Sequence, residues 1–567
     1  MLKVVGANEW KTRIGSYILI STCILCVLLV ITVTIERKEK SQTYCSTVFW
    51  SPKAGFSIKN WGQSNGDISK GVARACYKHS IFQNGWSFLE IETQADYPDR
   101  IQAFAAGMLE GSLTWKLIYD HWSNTIGSEC NKNDESQKFC SWAKNILKRK
   151  YENSKTESEI KERDSPYWYQ IRLFYHQMAG LQHGWQLGVH ESREDINIPE
   201  EDFRLLNAIS DWCDIQDYYM KFIDPAYNNR HRHKYANLFI KLLSDRKVLI
   251  GHSTDDLYSS MLRMHKHYYF RFHISSITNS LSVHGINISF TGYPGTIYSS
   301  DNYYIIQNKE EHFLIGGIRM EQKNKTEWEK YINDISPILG ARVMAANRLA
   351  QSGRSWCKYM SHRSSTDVKQ WMIVDINGFL KNKSNKIVEK EGKCSNVGFV
   401  YVADQVFGKL NYKDITEYIC KTEYWFSTRT SYIDGSIKKC NTNMSSQCED
   451  YNFVEFYQQN ITTLQGLATL LNCLGNKGVL NSEIYEFFGN VDMKLYSASL
   501  SGSIEYLSNA RPVQSLEFNN STHQVNRKEI SAKLKQICWS KFVPTLYDGQ
   551  PDIFEFDFVS PTWSWVS

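Results

Sequence analysis

The stretch Asn228-Asn-Arg-His-Arg-His-Lys-Tyr-Ala-Asn-Leu-Phe-Ile-Lys-Leu-Leu243 divides the chain into two halves of different pattern. Before it, apolar residues recur mostly at helical spacing. From Leu238 onward they gather into short runs bounded by turn residues, as strands do. Lys247-Val-Leu-Ile, Tyr268-Tyr-Phe-Arg-Phe-His-Ile, Tyr303-Tyr-Ile-Ile, Phe313-Leu-Ile-Gly-Gly-Ile, Gln370-Trp-Met-Ile-Val-Asp and Gly398-Phe-Val-Tyr-Val are the predicted strands. Helices return at 328–350 and 453–474. Segregation of this kind indicates an α+β protein.

Upstream, Phe104 with Met108, and Leu109 with Leu113 and Leu117, stand four apart and predict a helix over 101–121. That stripe reads as core packing, not as a lipid groove. Ser87-Phe-Leu-Glu-Ile-Glu-Thr alternates like an edge or half-buried strand. Residues 131–163 are polar and charged, which suggests a surface loop and an exposed helix. Ser165-Pro166 joins a capping side chain to a first-turn proline, and Ile171, Phe174, Met178 and Leu181 share one face beyond it. Pro199-Glu-Glu-Asp starts another helix, its acids suited to the positive end of the dipole.

The chain has 567 residues and a net charge of +5, with Lys and Arg scattered among Asp and Glu, so nucleic-acid binding finds no support. Residues 14–35 carry no charge and are long enough to cross a bilayer. Lys3, Lys11 and Arg13 precede them, favouring a cytoplasmic N-terminus. Two readings stand for residues 1–40: a retained signal-anchor or a cleaved signal peptide. Residues 41–567 read as one domain, because strand-like segments resume directly after the polar loops at 381–393 and 436–449.

Twelve cysteines lie beyond the apolar run. None forms a CxxC pair and no Cys/His spacing suits zinc, so disulfides in an oxidising compartment are expected, with neither metal nor cofactor. Cys130 with Cys140, and Cys440 with Cys448, are the expected local pairs. Glycosylation acceptors of the Asn-x-Ser/Thr type occur at Asn287, Asn324, Asn382, Asn443, Asn460, Asn519 and Asn520.

Several blocks together resemble the phospholipase B-like proteins of the N-terminal-nucleophile hydrolase superfamily. They are Ala105-Ala-Gly-Met-Leu-Glu-Gly-Ser-Leu-Thr, Tyr167-Trp, Gly180-Leu-Gln-His-Gly, Met261-Leu-Arg, Tyr293-Pro-Gly-Thr-Ile, Gln370-Trp-Met-Ile-Val-Asp and Gly549-Gln-Pro-Asp-Ile-Phe-Glu-Phe-Asp. They run in family order over nearly all of the chain after residue 85. The divergent sequence and apolar leader point to an outlying branch such as the insect lamina-ancestor proteins. The resemblance implies an αββα sandwich, a lysosomal or secreted glycoprotein, and hydrolysis of lipid acyl ester or amide bonds.

In such enzymes the chain cuts itself before a nucleophile, whose freed α-amine then serves as the base. The family's Cys-Ser-Ala-Leu-Ile-Lys aligns here with Ala236-Asn-Leu-Phe-Ile-Lys241, so Ala236 takes the nucleophile position and Asn237 the Ser position. A methyl group cannot attack a carbonyl. His252 follows after one strand, and Asp255 stands where the family has Trp. The family's Asn-Ser-Gly-Thr-Tyr-Asn-Asn is here Arg363-Ser-Ser-Thr-Asp-Val-Lys369, so Val368 and Lys369 replace two Asn that would orient substrate. Gln405-Val-Phe-Gly408 lacks the family's proline. Tyr293 belongs to a region that borders the family's pocket, although its turn also suffices as a shaper of the sheet.

Each candidate has a structural alternative. His252 fits a site residue or a backbone-bonded histidine at a strand end. His231 and His233 fit a solvated basic stretch better than a metal cluster. Cys213 fits a buried helix residue, and Ser253 and Thr254 lack a third group to complete a triad. Two functions follow: a phospholipase B-like hydrolase, or an inactive homologue binding lipid or protein on the same fold.

Overall fold

A computed structural model of the chain describes residues 17–22, 24, 42–62, 69–225, 227, 236–244, 247–277, 279–308, 311–320, 336–362, 368–381, 398–406, 408–427, 431–433, 453–474, 488–499, 501–510, 547–551 and 556–563. Residues Met1–Gln42 and Thr43–Ser567 pack as separate units. In the first, residues 17–22 and 24 are helical. Among the described residues no helix is long and apolar enough to cross a membrane. Most of the apolar run 14–35, and with it the signal-anchor reading, lies outside the described residues.

The second unit is built on strands β1 (Gln42–Ser51), β2 (Gly55–Gly62), β3 (Ala73–Ser80), β4 (Trp86–Thr93), β5 (Ala236–Leu242), β6 (Lys247–Leu257), β7 (Arg263–Tyr269) and β8 (Asn287–Gly292). It continues with β9 (Tyr303–Gln307), β10 (His312–Arg319), β11 (Lys369–Asp375), β12 (Val400–Val406), β13 (Lys409–Asp414), β14 (Tyr424–Phe426), β15 (Phe488–Ser499) and β16 (Ile504–Asn509). Eleven of them form one sheet in the order β13-β12-β11-β10-β9-β8-β7-β4-β3-β1-β2. The run from β7 to β13 is antiparallel, and β4 joins β7 in parallel. The other five form an antiparallel sheet in the order β14-β5-β6-β15-β16.

Helices α1 (Asp99–Leu113), α2 (Trp115–Trp122), α3 (Asp134–Lys161), α4 (Pro166–Ser192), α5 (Glu200–Leu206), α6 (Ile209–Tyr218), α7 (Leu339–Leu349), α8 (Gly353–Met360) and α9 (Leu464–Leu474) complete the described core. Three apolar layers order the elements. Ala106, Leu181, Ala345 and Trp356 of the helices pack with Ile91, Tyr268 and Ile315 of the large sheet. Leu238, Ile240 and Ile250 of the small sheet meet Leu314, Met372 and Val402 of the large one. Phe239, Leu249 and Leu495 pack on Leu467 and Leu471 of α9. The alternation of Leu238, Phe239 and Ile240 between the last two layers is the period of two that a strand imposes.

The blocks Ala105-Ala-Gly-Met-Leu-Glu-Gly and Gly180-Leu-Gln-His-Gly form the seam between α1 and α4. A Cβ on Gly107 would lie 1.9 Å from the Gln177 carbonyl oxygen, and one on Gly180 2.0 Å from that of Phe104. Gly111 and Gly184 face the Leu181 and Met108 carbonyls at 2.1 and 2.0 Å. Only glycine lets these backbones approach so closely.

Several expectations require correction. Residues 131–163 are not a loop with an exposed helix. Most of them form α3, capped by Asn133, whose side chain accepts the Ser136 N–H at 2.8 Å. Its polar composition hides a buried face of Phe139, Cys140, Ala143, Ile146 and Leu147. Strand β4 is neither an edge nor half-buried; it lies between β3 and β7 with Glu90 and Glu92 inside, the latter paired with Arg74 at 2.6 Å. The strand expected from Tyr268 begins at Arg263 and ends at Tyr269. The helix over 101–121 breaks at Thr114, and that over 453–474 is interrupted before Leu464. By contrast, Ser165 caps α4 as expected, accepting the Trp168 N–H at 3.5 Å.

Cys130–Cys140 is a disulfide, as expected, and Cys45–Cys76 is a second. Cys440 and Cys448 lie outside the described residues. Of the sequons, Asn460 is the exposed last residue of a short 3-10 turn, while Asn287 opens β8 between β7 and β9. Asn324, Asn382, Asn443, Asn519 and Asn520 lie outside the described residues, as do His231 and His233.

Candidate functional site

Ala236 is the first residue of β5, and its neighbour across the ladder is Thr254 of β6. Alternation places Ala236 and Leu238 on the face toward the large sheet, where a Cβ on Gly316 would touch Leu238 at 2.7 Å. Ala236 lines a small cleft with Thr254, Ser300, Asn302, Arg319 and Lys369. Cys213 of α6 borders the same cleft. The position of the expected nucleophile therefore faces a cavity, with a methyl group as its floor.

His252 lies two residues from Thr254 on that inter-sheet face and is fully buried. Its Nε2 is 3.2 Å from the Gly317 carbonyl oxygen, which makes it the donor and fixes the tautomer. Burial first, and then the Lys494 ammonium, push its pKa down to about 3. A neutral ring whose N–H is committed to the backbone is a weak candidate for moving a proton at Ala236.

The other expected pocket residues are dispersed. Asn237 faces away from the cleft, donating to Ser253 Oγ at 3.2 Å on the side of the sheet that meets α9. Asp255 is buried on β6, an odd number of residues from Thr254 and so on Asn237's face by strand alternation. Val368 is buried, and its carbonyl accepts the Met320 N–H at 3.0 Å. Tyr293 belongs to a second small cleft, shared with His121 and Asp256. Its hydroxyl donates to Asp256 at 2.7 Å and its ring stacks on His121. Of the substituted positions, Lys369 alone joins Ala236 at the same cleft.

Beneath the cleft is a buried charge cluster that sequence reasoning missed. Arg263 bridges the carboxylates of Asp301 and Asp492. Lys494 reaches Asp492 at 2.5 Å and Thr254 Oγ1 at 2.8 Å. Burial lowers the Lys494 pKa, and the Asp492 and Asp301 carboxylates oppose that shift. Thr254 is thus a hydroxyl beside Ala236, but it accepts from an ion-paired ammonium, and among the described residues no general base is hydrogen-bonded to it. The Met261-Leu-Arg block carried Arg263 in plain view; its acidic partners are 38 and 229 residues away in sequence.

Arg319 enters the wall from β10, held by Asp214 and Asp217 of α6 at 2.7 Å each. Burial alone would pull its pKa down; the Asp217 and Asp214 carboxylates outweigh burial and raise it. Among the described residues no group of three His, Cys, Asp or Glu is arranged to hold a metal ion.

The model of the Phospholipase B family matches residues 73–561. The phospholipase B-like lamina ancestor of Drosophila melanogaster is 32% identical over the full length of both chains. Phospholipase B-like protein C of Dictyostelium discoideum is 26% identical over 93% of each. Human phospholipase B-like 2 is 31% identical over 63% of this chain and 58% of its own. A family match across most of the sequence, together with a full-length relative, means that this chain belongs to the phospholipase B family.

Proposed function

We propose that the protein is a lysosomal or secreted binding glycoprotein on the αββα sandwich of N-terminal-nucleophile hydrolases, with the hydrolytic chemistry lost. The observation that carries this reading is Ala236, whose methyl group takes the nucleophile position and faces the cleft. Loss of a nucleophile alone typically costs several orders of magnitude in rate. The layer order of helices, large sheet, small sheet and helix supports the sandwich. The disulfides Cys45–Cys76 and Cys130–Cys140 favour an oxidising compartment, reached through residues 14–35 as leader or anchor. Exposed Asn460 is the favoured glycan acceptor over Asn287, whose Oδ1 is buried within the sheet. A lipid or lipid-like ligand is the occupant suggested by the family name.

Expression of the full-length chain tests the loss of chemistry. On a reducing gel it should run uncut; a fragment whose N-terminus is Ala236 would overturn the reading. Ala236→Cys should restore neither cleavage nor ester turnover, because Lys369 and Val368 also depart from the family pattern. Turnover by that variant would mean that the remaining site is intact and that one residue alone separates this chain from an enzyme.

A further inference from the structure

We propose that the Ala236 cleft binds an anionic oxygen group, a phosphate or a carboxylate, between Lys369 and Arg319. The proposal rests on the binding reading above and names the chemistry of the ligand. Lys369 and Arg319 are direct partners in the β10–β11 ladder. Like charges directly opposite one another destabilise a sheet unless something neutralises them. Arg319 is matched by Asp214 and Asp217. Lys369 is 5% exposed, yet among the described residues its ammonium makes no hydrogen bond or ion pair. An ammonium that opens on a cleft with no partner of its own is a place where an anion can pair with it.

The cleft also presents unused donors. Ser300 Oγ and Arg319 Nη1 are both buried and without a hydrogen-bond partner. The Asn302 Oδ1, also unpartnered, is an acceptor and adds nothing to an anion site. Hydroxyl, guanidinium and ammonium together suit a group with two or three acceptor oxygens. Asp301 lines the same cleft and repels an anion, so the ligand has to sit toward Lys369 and Arg319; the Asp301 Oδ2 accepts from Arg263 and from Thr291 at 3.1 Å. With alanine at 236, no thiol competes for this space. Lys369 adds a second cation to a wall that already holds Arg319.

Titration calorimetry of the full-length protein at low ionic strength tests the site. The probes are inorganic phosphate, glycerophosphocholine and hexanoate, which separate a free anion, a headgroup phosphodiester and an acyl carboxylate. Saturable binding of at least one is expected, weakened about tenfold or more in Lys369→Met and in Ser300→Ala, and kept in Lys369→Arg. Lys421→Met, on an exposed helix, should bind as the parent does. Equal binding by the parent and Lys369→Met, with thermal melts showing both folded, would overturn the site. Failure of all three probes would overturn it as well. Self-cleavage or ester turnover with phosphate binding intact would instead refute the loss of catalysis and leave this site standing.

Discussion

Lys266 and Lys369 are both buried lysines on the large sheet, and their surroundings differ in every respect that matters. The Lys266 ammonium has three donors and three acceptors: Glu110 Oε1 at 2.6 Å, the Tyr293 carbonyl at 2.9 Å and the Thr296 carbonyl at 2.5 Å. Burial lowers its pKa, and Glu110 opposes that shift. The same carboxylate takes the Tyr268 hydroxyl at 2.5 Å. Lys369 has no such set and opens on a cleft. A buried charge with a complete set of partners is architecture, whereas one without partners beside a cavity is a place for a ligand. The Tyr293-Pro-Gly-Thr-Ile turn belongs to the first kind, since two of its carbonyls hold Lys266 and join β7 to α1.

The sharpest attempt to break this contrast is Lys266→Met, which strands Glu110 in the core. A loss of about 3–5 kcal/mol in unfolding free energy is expected, measured by denaturant titration. A loss below about 1 kcal/mol would mean that the two lysines are equivalent after all.

Acid provides a second test of fully buried polar groups. His267 bonds Ser289 Oγ at 2.7 Å, and burial lowers its pKa to about 4. Its unfolded pKa is about 6.5. Below that value the unfolded chain binds the proton more readily than the folded chain, so stability falls as pH drops from about 6.5 toward 4. At pH 5 the expected cost is about 2 kcal/mol. His267→Gln should therefore flatten the acid limb of a stability–pH curve, and an unchanged slope would contradict the buried neutral ring. His252, His176 and His312 are lowered in the same direction, each by burial first.

The smallest effect concerns the other lysine. Lys369→Met should change stability by less than about 1 kcal/mol, or raise it, because no partner is stranded. A large loss would show that Lys369 is structural and would remove the contrast.

The sequence made some of this legible through local chemistry. Ser165-Pro166 carries its own cap, and the strands from Tyr303 and Phe313 are apolar runs between turns. What stayed hidden is polar. Strand β7 reads Arg263-Met-His-Lys-His-Tyr-Tyr, a composition of surface, although every residue but the last is buried. Its charges are satisfied by residues distant in sequence, which no periodicity reports. The site was half legible for the same reason. Ala236 could be placed by its local pattern, while the companionship of Ala236, Lys369 and Arg319 exists only after β5 stacks against β10 and β11. Asn237 and Asp255, adjacent in the pattern, fall on the opposite face because a strand turns successive side chains apart.

The glycine seam between α1 and α4 has a consequence for how proteins of this kind are classified. Gly107, Gly111, Gly180 and Gly184 are fixed by backbone distance, and no change in the cleft relaxes that requirement. Their blocks carry much of the likeness to the family, but they lie in the helix layer and do not line the Ala236 cleft. Likeness scored on such positions measures how two helices dock. A chain can keep that score whole while the residues of its cleft change, so a likeness of this kind describes the scaffold and not the chemistry of the cleft.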